Sequence, residues 1–412
     1  MEKRLTRRAL LRFGAFLGLG AGLPAAGGAR EAVQLTTALE KNPDTLVRVR
    51  LGRTGLMISE VSFGSSRLRS GDERLVSHAL ERGVNYFDTA ESYTGGSSEE
   101  VLGKALKGQR DKVYIATKMS AGASTSVGSM MQSLEESLKR LQTDYVDVFF
   151  NHAVNDVDRL KNDEWSKFVD TAKAQGKIRF TGMSGHAGRL ADCLDYGLDQ
   201  DLFDVVLVAT NFGEDPAFYE TFTSGFDFVA RQPRLPVLLK KAREKDVGVI
   251  AMKVLRGAKL NDMKPFEREG DSFAQAALRW ILNHENIDAA IISMTDEALI
   301  DEYLAASSLQ KLTKSDMRLL KTYSNITDAS YCRPACDDCE GSCPRGVRIA
   351  DVLRTRMYAL DYGDPVFGKT EYSSLASDAR SCVSCRTQEC RNACTYQLPI
   401  ASLCTSTHKL LA

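Results

Sequence analysis

From residue 46 onward the chain alternates two kinds of apolar pattern. Short runs rich in β-branched and aromatic residues recur at Ile58–Phe63, Val84–Phe87, Val113–Thr117, Tyr145–Phe150, Ile178–Met183, Asp204–Val208, Gly248–Met252 and Asp288–Ile292. Each is the length of a strand buried on both faces. The stretches between them carry helical spacing. Val127, Met130, Met131, Leu134, Leu138 and Leu141, for example, fall on one face of a helix. Eight strands alternating with helices predict an α/β fold of the (β/α)8 barrel type. A doubly wound sheet would call for a Gly-x-Gly-x-x-Gly turn after an early strand, and the sequence has none. The segment Val47–Gly55, with turn residues Gly52 and Gly55, predicts a hairpin capping the barrel bottom.

Polar residues gather at the ends of these runs. Asp88 and Tyr93 follow the second strand, Lys118 the third and His152 the fourth. In such a barrel the C-terminal strand ends form the active face, so four titratable groups are expected on one rim. An ammonium beside a phenol should lower its pKa, a carboxylate should fix the lysine, and a histidine should orient a carbonyl oxygen. That set suits proton transfer to a carbonyl under reduction. Each residue alone is as well explained by helix capping or surface polarity; their convergence is what points to catalysis.

Composition narrows the field. Lys+Arg and Asp+Glu both number 54, so no basic surface points to a nucleic-acid partner. All cysteines except Cys193 lie between Cys332 and Cys404, which predicts two regions of different chemistry, 46–325 and 326–412. At the N-terminus, Arg4 to Arg12 is basic, Phe13 to Leu23 is apolar, and small residues follow to Ala29. This reads as an export signal over residues 1–29, with an apolar run too short to span a bilayer. The pair Arg7-Arg8 resembles the twin-arginine signal, and implies a periplasmic protein with no stable membrane span once the signal is cleaved. A retained basic N-terminal helix is the alternative.

The run from Gly83 through Asp88 to Tyr93, continuing from Ser98 to Leu106, resembles the aldo/keto reductase signature. Ile115–Lys118, Asp144–Asp147 through His152, Gly182–Gly185, Ile250–Lys253 and Ala277–Trp280 fit as well. The resemblance covers about residues 46–310. It implies Tyr93 as proton donor, Lys118 and Asp88 as its support, and His152 as the group that positions a carbonyl. It implies a small carbonyl or alcohol substrate and NADPH as hydride donor, with Ser184, Asn211 and Lys253 as cofactor-binding residues. The sequence also departs from the family. Leu207 and Thr210 stand where Gln and an aromatic are usual. Ser293 and Leu299 stand where cations usually meet the 2′-phosphate, beside the acidic Met294–Glu297. NADPH is therefore an open expectation.

The cysteines form two quartets, Cys332-x3-Cys336-x2-Cys339-x3-Cys343-Pro344 and Cys382-x2-Cys385-x4-Cys390-x3-Cys394. Ferredoxin loops run C-x2-C-x2-C-x3-C-P, and the fourth cysteine can ligate the other cluster. The spacing predicts a mainly helical and loop domain holding [4Fe-4S] clusters, two in preference to one. Cys332, Cys336, Cys339 and Cys394 would hold one, and Cys382, Cys385, Cys390 and Cys343 the other. Cys193 and Cys404 are left as spare thiols. Such a module adds a second route for electrons, and with it an electron-transfer partner. Zinc and disulfides are the alternatives. The second makes the chain an exported, non-catalytic barrel that is stapled by disulfides and binds a ligand or partner.

Overall fold

The computed structural model describes residues 46–214, 218, 234–256, 263–328, 330–333, 336–360 and 364–412; the expected signal, residues 1–29, lies outside them. The hairpin strands β1 (Arg48–Arg50) and β2 (Met57–Ser59) pair antiparallel. Eight parallel strands follow. They are β3 (Val61–Gly64), β4 (Tyr86–Asp88), β5 (Tyr114–Met119), β6 (Val146–Asn151), β7 (Ile178–Gly185), β8 (Val205–Ala209), β9 (Gly248–Met252) and β10 (Ala289–Ser293). They close in the order β10-β3-β4-β5-β6-β7-β8-β9, the (β/α)8 barrel that the alternation predicts. The first predicted strand, Ile58–Phe63, is divided: its start belongs to the hairpin, and the barrel strand begins at Val61. A continuous apolar run does not reveal where the chain changes direction.

Strand periodicity sorts the side chains. Tyr86, Ala116, Val148, Phe150, Val205, Leu207, Ile250 and Ile291 fill the barrel interior, joined from below by Leu51, Leu56 and Ile58 of the hairpin. The alternate residues Phe87, Ile115, Phe149 and Val206 face the helices. Gly52 makes the bottom closure possible. Its φ is +44°, and a Cβ there would lie 2.2 Å from the Gly248 nitrogen. Arg50 anchors the same end to Asp246 at 2.6 Å. The helix Val127–Leu141 starts at Ser126, whose hydroxyl accepts from the Ser129 N–H, and buries Met130, Leu134, Leu138 and Leu141.

Helix Lys314–Thr327 carries the chain past residue 325. The described cysteine region consists of helices Ile349–Leu360, Pro365–Ser373, Glu389–Ala393 and Ile400–Leu411 with 3-10 turns between them. It has its own apolar cluster, including Val347, Ile349, Val352, Tyr372, Leu398 and Cys404. It belongs to the same compact unit as the barrel. Asp328 ties the two together by pairing with Arg256 beyond β9 and, at 2.9 Å, with Arg333. No helix among the described residues is long and apolar enough to cross a membrane.

Candidate active site

All seven residues expected in the barrel site lie at the C-terminal ends of its strands. Asp88 closes β4 and Lys118 lies within β5, one residue before its end, so neither follows its strand as the sequence suggested. The polar side chains are strand residues because the barrel interior turns into the rim at these positions. His152 directly follows β6, and Tyr93 begins a short turn beyond β4.

Lys118 is 1% exposed and Asp88 3%. The Lys118 Nζ donates to Asp88 Oδ1 and to the Thr89 carbonyl, each at 2.5 Å. The same ammonium sits 4.9 Å from the centre of the Tyr93 ring. The Tyr93 and His152 rings meet edge-on, with centroids 5.6 Å apart. The His152 N–H donates to the Met119 carbonyl at 2.7 Å. Arg159 pins the following turn through the carbonyls of His152 and Ala153, both at 2.9 Å.

The electrostatics correct one expectation. Lys118 does not lower the phenol of Tyr93, whose pKa is pushed up, first by burial and then by the charge of Asp88. A carboxylate bonded to the ammonium cancels the field expected to favour phenolate. Tyr93 therefore keeps its proton, as a proton donor must. Burial also holds His152 well below the usual imidazole range, reinforced by Lys118, Arg159 and Lys253. It is a neutral ring at physiological pH. Within the ion pair, burial drives Asp88 up and Lys118 down, and each partner opposes the shift of the other. Asp88 Oδ2 is buried without a hydrogen-bond partner.

Ser184, Asn211 and Lys253 stand at the ends of β7, β8 and β9. All three are engaged within the protein. The Ser184 hydroxyl accepts from the Ala153 N–H at 2.9 Å. Asn211 donates to Glu214 at 2.8 Å and accepts from the Gly213 N–H at 2.9 Å. Lys253 holds a φ of +60°, unusual for a side chain with a Cβ, and its ammonium lies 5.3 Å from the centre of the Tyr358 ring. Beyond β10, the Ser293 hydroxyl is bonded to that of Ser66 at 2.9 Å. Leu299 packs on the core, and Asp296 caps helix Glu297–Leu304.

All ten cysteines are free thiols. Cys332, Cys336, Cys339 and Cys394 line one hollow with Ile349, Leu353, Leu398 and Ile400. Burial raises the Cys332 thiol to about 11 and pushes Cys336 and Cys339 up as well; Cys336 and Cys339 both also feel Cys332 and Cys394. Cys390 feels the charges of Cys343, Cys382 and Cys385. Cys404, expected to be spare, is fully buried in the apolar cluster of this region. Among the described residues no three His, Cys, Asp or Glu lie close enough to hold one metal ion. Sequence reasoning also missed His186, Arg354 and Tyr358. The Tyr358 hydroxyl lies 3.0 Å from His186 Nε2. His186 stands directly beyond β7, and Arg354 and Tyr358 are spaced i, i+4 on one helix. That spacing was legible, but not the fact that the helix faces the barrel mouth.

With fold and rim in place, the chain belongs to the aldo/keto reductase family, whose profile matches residues 63–325. It is an oxidoreductase of that family. L-galactose dehydrogenase of Arabidopsis thaliana is 29% identical over 292 residues, 62% of this chain and 86% of that protein. Methylglyoxal reductase YeaE of Escherichia coli is 28% identical over 252 residues, 57% of this chain and 81% of that protein. Among solved structures, an aldo/keto reductase of Klebsiella pneumoniae in complex with NADP and acetate aligns with a TM-score of 0.53 at 22% identity. It covers 71% of this chain and 99% of its own.

Proposed function

We propose that the barrel interconverts a small carbonyl compound and its alcohol, with Tyr93 exchanging the proton on oxygen. One observation carries this reading: the Tyr93 ring meets His152 edge-on while the paired Lys118 ammonium lies 4.9 Å from its centre. His152, neutral, donates a hydrogen bond that orients the carbonyl oxygen without adding charge. Tyr93 delivers its proton to that oxygen as negative charge develops there. Asp88 fixes the Lys118 ammonium beside the phenol, where its charge faces the phenolate left behind. Reduction takes up two electrons and two protons overall, and oxidation releases them.

The residues beyond β10 do not fit the 2′-phosphate of NADPH, because Ser293, Leu299 and Asp296 offer it no cation and are committed to internal contacts. The cysteine region supports a different electron source. The first quartet, Cys332, Cys336, Cys339 and Cys394, lines a hollow with apolar side chains, and both quartets carry spacing close to that of ferredoxin loops, which suits iron–sulfur ligation by thiolates. A single zinc would need the sulfurs roughly 4 Å apart, given Zn–S bonds of about 2.3 Å. Cys332, Cys336, Cys339 and Cys394 would hold one [4Fe-4S] cluster, and Cys343, Cys382, Cys385 and Cys390 the other. When bound there, the clusters supply or accept single electrons, received from an electron-transfer partner. Residues 1–29 direct the folded protein to the periplasm by the twin-arginine route.

Tyr93→Phe tests the barrel reading. Turnover of small aldehydes and ketones with a reduced viologen as donor should fall by roughly 10²–10⁴-fold, with ligand binding unchanged. A variant with full turnover removes Tyr93 from the mechanism.

A further inference from the structure

Helix Ile349–Leu360 of the cysteine region turns Arg354 and Tyr358 toward the barrel. Tyr358 reaches His186 at 3.0 Å, and Lys253 lies over its ring. Arg354 is 7% exposed, and its Nε and Nη1 have no hydrogen-bond partner. A buried guanidinium left so is strongly unfavourable unless an anion completes it.

Among the described residues, the titratable groups that feel the Arg354 charge are His186, Glu214, Cys332 and Asp351. None of them hydrogen-bonds or ion-pairs with its guanidinium. His186 is held neutral, and burial raises Glu214 to about 8. Cys332 is a thiol. Asp351 bonds to Arg348 at 2.8 Å and to Asn155 at 3.0 Å. His186 in turn feels both Lys253 and His152, so this cationic corner adjoins the reacting end of the site.

We infer that Arg354, with His186 and Tyr358, forms an anion-binding subsite beside His152 that takes the carboxylate of a carbonyl substrate. The substrate class is then carbonyl compounds bearing a carboxylate, for which a guanidinium is the suited partner. The inference rests on reading the rim as a carbonyl-reducing centre, and the cysteine region thereby supplies part of the substrate pocket.

The test is calorimetric titration of the full chain, prepared anaerobically, with 2-oxobutanoate and with 2-butanone, which has a methyl in place of the carboxylate. The wild-type protein should bind 2-oxobutanoate at least about ten-fold more tightly. R354Q should lose that margin, R354K should keep part of it, and 2-butanone should bind all three alike. Equal binding of the two ligands by the wild type, or binding of neither, overturns the inference. So does an unchanged 2-oxobutanoate affinity in R354Q accompanied by a shifted midpoint potential in an EPR-monitored redox titration, which would assign Arg354 to the adjacent cysteine quartet. Tyr93→Phe separates the two ideas: a variant that binds 2-oxobutanoate normally and still reduces it at full rate sinks the catalytic reading while leaving the subsite standing.

Discussion

Lys118 and Asp88, from adjacent strands β5 and β4, form an ion pair at 2.5 Å that is almost wholly shut off from solvent. Removing one member of such a pair leaves a buried uncompensated charge, at a cost of about 3–5 kcal/mol. Asp88→Asn and Lys118→Met should each lower the unfolding free energy by that amount in denaturant titrations. The double variant Asp88→Leu/Lys118→Met should recover much of the stability and none of the turnover. A double variant as unstable as the singles would show that the pair is not the source of the loss.

Glu214 gives the fold a pH signature. Its folded pKa is raised to about 8 by burial, against about 4.3 in an unfolded chain. The folded state therefore holds the extra proton between these values, and stability falls as pH rises from about 4.5 through 8. Glu214→Gln keeps the neutral form at every pH. It should raise Tm by roughly 5 °C at pH 8 and leave it nearly unchanged at pH 4.5. An equal effect at both pH values contradicts the assignment.

The legible parts of this protein are those that repeat. The barrel follows from eight apolar runs, and helix Val127–Leu141 buries the face its spacing predicts. Asp88, Tyr93, Lys118 and His152 were legible because a parallel barrel gathers consecutive strand ends. The effect of Lys118 on Tyr93 was not, since the sign depends on Asp88 sitting against the ammonium. Nor was the seating of Tyr358 against His186, 172 positions apart. Sequence spacing reports which side chains share a helix face, and only tertiary packing decides what that face meets.

The export reading turns on Arg7 and Arg8. Replacing both with lysine keeps the charge and removes the paired guanidinium groups. The variant should stay in the cytoplasm as a folded, full-length chain, whereas the wild-type protein should appear shortened in the periplasmic fraction. Export of the lysine variant at the wild-type level would contradict the twin-arginine route.

The central claim is that an aldo/keto reductase barrel here carries its own electron-transfer module. Iron and acid-labile sulfide in the anaerobically purified full chain test it most directly. Two clusters on Cys332, Cys336, Cys339 and Cys394 and on Cys343, Cys382, Cys385 and Cys390 predict about eight of each per chain. A chain with neither iron nor sulfide contradicts the account.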